Sequence, residues 1–396
     1  MTRSRAHLGV IFLTVFIDLV GFGLVIPVLP FYAEQFGASG LGFGALVGVY
    51  SLMQFVSTVV LGGLSDRIGR RPVLLFSIAV GAAGYMIFGL AGSYAWLFVA
   101  RAIAGFAGGN LSVAQAYIAD VTAPSERSRG MGLVGAAFGL GFIVGPGIGA
   151  LAAHYGGLHA VGFVAAGLCA VNLVSAYFVL HESLQHEHRA ARPLVDTTHL
   201  RRGLTQSRFR AAFLVFGVIP FAFSGYVVAL PLFAERAFGW GSDQLGVLFT
   251  LIGVIAATVQ GYLFGKIQRR TGDRPLIAWG TLAMAVGIGA IPLAHQAWQI
   301  YPWLVVLAFG NSIAAPALTG SISRLAGAAE QGAMMGAAQA LTALGRFSGP
   351  LLFGRIFDAL GPGPAFLSAG AVMVVGWSIA RRIEEVPIAE VALETT

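Results

Sequence analysis

Arg67-Ile68-Gly69-Arg70-Arg71-Pro72 returns 203 residues later as Arg270-Thr271-Gly272-Asp273-Arg274-Pro275. Two further landmarks keep the same order and almost the same spacing. Leu29-Pro30-Phe31-Tyr32-Ala33-Glu34 returns as Leu230-Pro231-Leu232-Phe233-Ala234-Glu235, 201 residues on, and Gly145-Pro146 returns as Gly349-Pro350, 204 residues on. Three landmarks at a near-constant offset indicate a duplicated unit. The copies lie in long apolar stretches, so each reads as half of a membrane-embedded bundle. Two such halves can rock against each other, which a single bundle cannot easily do.

Composition supports a membrane setting. Hydrophobic residues make up 57% of the 396 and charged residues 10%, against roughly 25% charged in ordinary soluble domains. Twelve apolar stretches are long enough to cross a hydrocarbon layer of roughly 30 Å. They fall near 8–30, 43–65, 72–92, 95–119, 129–152, 159–180, 211–234, 244–268, 274–294, 299–323, 331–356 and 363–383. The fold class expected is an all-α membrane protein of twelve transmembrane helices in two pseudo-symmetric six-helix bundles. The first bundle takes 1–180 and the second 211–383. A linker at 181–210 separates them, and 384–396 forms a tail. The 55 glycines suit membrane helices whose backbones approach closely. The first stretch is read as a retained span, since eleven more follow it.

Basic residues set the expected topology. With the N-terminus inside, 20 of the 24 Lys and Arg fall in cytoplasmic segments; the exceptions are Arg236 and Arg355 outside and Arg101 and Arg346 within spans. Both termini are therefore expected in the cytoplasm of a cell (inner) membrane. The pI near 9.9 is then a topology signal, and no nucleic-acid partner is needed to explain it. The histidines of the linker, His181, His186, His188 and His199, have irregular spacing and no acid cluster, so the linker reads as a solvated basic connection. The lone Cys169 reads as a buried thiol.

Of 17 acidic residues, only Asp18 sits near the middle of a span. An ionised carboxylate there costs at least about 2.5 kcal/mol, so such a group usually faces a cavity and has a partner. Desolvation and a neighbouring cation pull a carboxyl's proton affinity in opposite directions, which lets the group load and release a proton. The plainer reading is a packing Asp hydrogen-bonded to Ser or Thr. Arg101 in the fourth span is the expected partner. On a straight helix Ser112 and Gln115 share the Arg101 face, while Asn110 points to roughly the opposite side. Tyr50, Gln54 and Ser57 share a face of the second span. Gln339, Thr342 and Arg346 form a stripe on the eleventh, in a half whose six spans carry no acid at mid-depth. Tyr50, Gln54, Ser112, Gln115, Gln339, Thr342 and Arg346 are the candidate substrate contacts, although each alone also suits ordinary interhelical packing.

The turn after the second span reads Gly62-Gly63-Leu64-Ser65-Asp66-Arg67-Ile68-Gly69-Arg70-Arg71-Pro72. Its glycines permit a tight turn, Pro72 suits the first turn of the next helix, and Asp66 with Arg70 can form a clasp. In the second copy Arg269 replaces Asp66, so the clasp is expected to be asymmetric. With this pattern in a loop after the second of twelve spans, the sequence resembles the major facilitator superfamily. Within it, the chain resembles the proton-coupled drug antiporters of the tetracycline-efflux type. Asp18 through Pro27 resembles their first-helix motif, and Arg101 with Gly105 their fourth-helix motif. Gly141-Phe142-Ile143-Val144-Gly145-Pro146-Gly147-Ile148-Gly149 resembles their fifth-helix motif.

The resemblance implies a cytoplasmic gate formed by Gly63, Asp66, Arg67, Gly69, Arg70, Arg71 and Asp120. It also implies a helix-bend motif at Gly141, Gly145, Pro146 and Gly149, and proton coupling through Asp18 and Arg101. The implied activity is proton-coupled efflux of a drug-like small molecule, tetracycline favoured, by alternating access. A broad multidrug exporter or a proton-coupled nutrient symporter are the alternatives. A membrane enzyme is disfavoured, because no embedded cluster of His, Cys or carboxylates resembles a catalytic or metal site. No cofactor is expected beyond the proton as coupling ion, although a tetracycline cargo can arrive as a magnesium complex. The partners expected are the drug, protons and the lipid bilayer, with the chain a monomer. One departure from tetracycline pumps is visible. The third span has Gly84-Tyr85 where an acid is common, and 274–294 has no carboxylate.

Overall fold

A computed structural model describes residues 2–122, 127–184 and 198–384. The tail from 385 and the middle of the linker, with His186 and His188, lie outside the described residues. The described chain is helical, with no strand among the described residues. Helices suit membrane depth, because backbone groups there find no water and a helix pairs them within its own segment.

Fourteen helices are α1 Thr2–Val25, α2 Leu29–Gln35, α3 Gly40–Ile68, α4 Arg70–Gly89, α5 Tyr94–Ala107, α6 Asn110–Val121, α7 Arg127–Val179, α8 Thr198–Thr205, α9 Ser207–Phe238, α10 Ser242–Thr258, α11 Phe264–Thr271, α12 Asp273–Ala290, α13 Ile300–Leu360 and α14 Pro362–Ala380. Among the described residues nine helices are long and apolar enough to cross a membrane, or ten if the bent pair at Gly9–Val25 and Leu29–Gln35 is one span. The twelve expected stretches are all helical, but their breaks fall elsewhere than a hydropathy reading places them. At 1.5 Å per residue the 53 residues of α7 would run about 80 Å, far beyond one bilayer. The helix is in fact interrupted at Gly157, whose φ of 74° only glycine adopts cheaply. α13 likewise runs through both the tenth and the eleventh expected stretches. The fourth stretch is divided between α5 and α6. The eighth is divided by a five-residue π-helical turn at Val259–Leu263.

The chain forms two compact units. One comprises Met1–Val195 with Gly239–Gly253, the other Asp196–Phe238 with Val254–Thr396. In the first, α1 packs along α7, α3 on α5, and α4 on both α5 and α7. Its largest apolar cluster joins Ile11 and Val15 of α1, Leu61 of α3, Val73, Leu74 and Ile78 of α4, and Val113, Tyr117 and Ile118 of α6. A buried polar bond crosses the same packing, from Thr14 Oγ1 to Asn172 Oδ1 at 3.2 Å. In the second unit α9 packs on α13 and α14, and α12 on the same two. The linker's last part is the short helix α8, which packs against α9 and α13 and pairs Arg202 Nη1 with the Glu330 carboxylate at 2.7 Å. Cys169 is a buried free thiol.

Candidate functional site

Asp18 owes its position to glycines on the neighbouring helix. Gly141, Gly145 and Gly149 recur every four residues, on one face of α7. A Cβ at Gly141 would sit 2.6 Å from Leu19 Cβ, and one at Gly145 would sit 2.9 Å from both Gly23 Cα and the Val20 carbonyl. One at Gly149 would strike the Leu24 carbonyl. Three absent side chains therefore let α1 lie backbone-to-backbone along α7, with Pro146 within the same contact. This fixes the rotation of α1, and with it the direction of Asp18. The residue is half-buried, and its carboxylate accepts a hydrogen bond from Asn110 Nδ2.

That partner differs from the one expected. Asp18 and Arg101 share no ion pair or hydrogen bond, and Asn110 does not point away. The straight-helix expectation fails because the fourth span is not one straight helix. α5 ends at Ala107 and α6 starts at Asn110, across Gly108 and Gly109 with ψ of −8° and −7°. The interruption turns Asn110 toward α1. It also releases backbone carbonyls, which side chains then satisfy. Gln54 Nε2 donates to Gly108 O at 3.3 Å, and Ser112 Oγ donates to Gly109 O at 3.0 Å. The glycines at the break have a second purpose. A Cβ at Gly105 would strike the Tyr50 backbone, and one at Gly109 would strike Ser57, so α3 and the α5–α6 junction are in direct backbone contact.

Arg101 is 3% exposed. Its guanidinium lies over the Tyr50 ring, 4.3 Å from the centroid, and Tyr50 in turn lies 5.0 Å from the Phe22 ring. Two of its nitrogens, Nε and Nη1, have no hydrogen-bond partner. A cation over an aromatic face gains about 2 kcal/mol when desolvated, which only partly offsets its burial. Gln115 is exposed on α6. The structure thus brings Asp18 and Asn110 together, and Arg101, Tyr50 and Gln54 lie along the adjoining α3 and α5.

The turn between α3 and α4 holds a denser cluster. Gly69 has φ 110°, which a side chain would strain, and it allows α4 to start at Arg70. Arg70 is 8% exposed and meets three groups. It pairs with Asp66 at 2.6 Å and with Asp120 at 3.2 Å, and its Nη1 donates to Ser65 Oγ at 2.6 Å. Arg71 Nη2 donates to Tyr177 O at 2.8 Å, whereas Arg67 is exposed and Gly63 only continues α3. Sequence reading missed Glu182. Its carboxylate accepts from the Arg70 and Arg71 backbone amides at 2.8 and 3.2 Å. No local pattern links residue 182 to residue 70; only the return of α7 to this end of the unit does so.

In the second unit Thr342 Oγ1 donates to Phe216 O at 3.2 Å. Pro220 lies four residues after Phe216 in α9 and has no N–H, so that carbonyl has lost its helical donor. Thr342 supplies the replacement. Gln339 and Arg346 are exposed on α13. Gly345 and Gly349 of α13 meet α9 at Gly217 O, at 2.7 Å from a Cβ built on Gly345, and at Phe221 O. This reproduces the α1–α7 contact of the first unit.

The Major Facilitator Superfamily model matches residues 11–271 and 212–392, which span nearly the whole chain. The chain belongs to the Major Facilitator Superfamily. Within that superfamily it is 35% identical over 365 residues to the tetracycline resistance protein, class C, of Escherichia coli, covering 90% of this chain and 91% of that protein. It is 30% identical over 370 residues to multidrug resistance protein 2 of Bacillus subtilis (strain 168), covering 91% of each. Among solved structures, the human organic anion transporter MFSD10 (TETRAN) superposes with a TM-score of 0.72 at 26% identity, covering 95% of this chain and 99% of that one. The protein is therefore a multi-pass membrane transporter of the drug-efflux kind, and not an enzyme.

Proposed function

We propose that the protein exports a drug-like small molecule, tetracycline favoured, in exchange for an inward-moving proton, by alternating access. The observation that carries the cargo is the 35% identity to a tetracycline resistance protein along nine-tenths of both chains. For the coupling, support comes from one half-buried carboxyl at membrane depth. Asp18 is held by a neutral amide, which can hydrogen-bond either protonation state: the amide N–H serves the carboxylate, and the amide oxygen serves the acid. Asp18 is the proton carrier in this reading. Arg101 lies on α5, which packs on α3 and α4, with two donors unfilled in this state, and it links proton loading to substrate release. Both termini lie in the cytoplasm of the cell membrane, and the α3–α4 turn with Asp120 is the cytoplasmic gate. The transporter acts as a monomer, and a tetracycline cargo can travel as its magnesium complex.

Accumulation of labelled tetracycline in cells, with and without the protein and with and without a protonophore, tests this directly. Lower accumulation that the protonophore abolishes is the expected result. Lower accumulation that survives the protonophore removes the proton from the mechanism. A broad drug range is the second reading, favoured by the similarity to multidrug resistance protein 2; export of structurally unrelated drugs at comparable rates would establish it. Higher accumulation would establish the symporter instead.

A further inference from the structure

Glu182 lies just beyond α7, where the chain leaves the first unit for the linker. Its carboxylate accepts four backbone amides. Oε1 takes Arg70 N at 2.8 Å, Leu184 N at 3.0 Å and Ser183 N at 3.1 Å, and Oε2 takes Arg71 N at 3.2 Å. Two of those amides are orphan donors at the start of α4, where a negative group is favoured by the helix dipole. The next residue extends the contact: Ser183 Oγ donates to Asp120 Oδ2 at 3.1 Å, the oxygen that also meets Arg70 Nε. The result is a closed ring. It runs from the Glu182 carboxylate to the Arg70 amide, along the Arg70 side chain to Asp120, and back through Ser183 to Glu182. Two more bonds hold the same segment, Arg71 to Tyr177 O and Tyr117 Oη to His181 O at 2.9 Å.

The ring also accounts for Gly69. A Cβ there would overlap the Glu182 carboxylate, so a side chain at 69 would displace that carboxylate as well as strain the φ of 110°. We infer that Glu182 is a positioning residue of the α3–α4 clasp: it holds the Arg70 backbone so that the side chain spans Asp66 and Asp120, and it makes the first residues of the inter-unit linker part of the gate. The inference rests on the reading of this clasp as the gate of an exporter.

The test has two arms. Amide hydrogen exchange on the purified chain needs no cargo. In Glu182→Ala the Arg70, Arg71, Ser183 and Leu184 amides should exchange faster together while α9 and α12 keep the wild-type rate. Unchanged exchange at those four amides, or a rise along the whole chain, overturns the proposal. The second arm measures labelled tetracycline transport in proteoliposomes at matched protein content. Glu182→Ala should lower kcat at least about tenfold, a loss of about 1.4 kcal/mol, with KM little changed and Glu182→Gln intermediate. Combining Glu182→Gln with Asp120→Asn should cost no more than the worse single change, because both act through Arg70. Losses that multiply, or faster exchange with wild-type kcat, also overturn it. If the wild type moves no tetracycline, the cargo assignment fails on its own, and amide exchange still decides the role of Glu182.

Discussion

The two halves of the molecule build the same scaffold and place opposite charges on it. In the first half Arg70 pairs with Asp120, beside Gly69 at φ 110°. In the second, Asp273 pairs with Arg324, beside Gly272 at φ 78°. These positions correspond at offsets of 203 and 204, so the bridge is repeated with its polarity reversed. The hydrogen-bonding neighbour is reversed with it. Ser65 accepts from Arg70, whereas Gln268 Nε2 donates to Asp273 Oδ1 at 2.7 Å. The asymmetry foreseen from Arg269 replacing Asp66 is therefore an exchange of signs rather than the loss of a clasp. The membrane-depth comparison ends differently. Gly141 and Gly145 of α7, packed against α1, correspond to Gly345 and Gly349 of α13, packed against α9, yet the position matching Asp18 is Ile219, 7% exposed. Duplication preserved the helix contacts, and only the first copy carries a carboxyl at this position.

The largest expected effect separates the halves at that point. Asp18→Asn should reduce drug-driven proton movement in proteoliposomes below about a tenth of wild type, equivalent to at least about 1.4 kcal/mol, with normal abundance in the membrane. Retained exchange would place the proton elsewhere. Introducing a carboxyl on the other side, Ile219→Asp, should only lower the folded yield, since a carboxylate in that buried place lacks a partner; proton exchange in an Asp18→Asn, Ile219→Asp double variant would contradict the assignment.

The polarity reversal suggests a sharper experiment. Arg70→Asp or Asp120→Arg alone should each slow export several-fold by leaving like charges together. The pair should recover much of the rate, and adding Asp66→Arg, as in the second half, should recover more. No recovery in the triple variant would mean that the two clasps are not equivalent. A smaller effect is expected at the glycine contacts. Gly145→Val and Gly349→Val should lower thermal stability by similar amounts, on the order of 1–3 kcal/mol for overpacking, as read by unfolding in detergent. Unequal losses would show that the α1–α7 and α9–α13 contacts differ in tightness. The smallest effects belong to Gln54→Ala and Thr342→Ala. Each orphans one carbonyl, at Gly108 or Phe216, at about 1–3 kcal/mol where burial is complete and less where water can enter. Should either instead change drug affinity without affecting stability, that side chain contacts the substrate.

Several elements were legible because their signal is local. Apolar length marks the spans, the Gly-x-x-x-Gly-x-x-x-Gly run 141–149 marks a close helix contact, and Asp66 and Arg70 are four residues apart on one helical turn. Asn110 departs from the helical wheel because a wheel assumes a continuous helix, and Gly108-Gly109 interrupts it. That dipeptide was the available warning. Polarity at membrane depth makes Gln54 and Thr342 candidate substrate contacts without revealing what else they serve. Only the positions of the Gly108 and Phe216 carbonyls show that both side chains repair interrupted helices.

By itself, the order of residues determined the class of molecule: a doubled set of apolar helices, a single mid-membrane acid, and turns where glycine allows the chain to reverse. These follow from the cost of exposing backbone and charge to lipid, which any stretch of chain meets wherever it packs. The tertiary structure alone decided who meets whom: Asn110 at Asp18, Glu182 at the head of α4, and Arg324 at Asp273. Such pairings join residues from about 50 to more than 100 positions apart, and they depend on how each helix is rotated about its axis. That rotation is set by the sum of close backbone contacts along the helix, and no short window of sequence contains it.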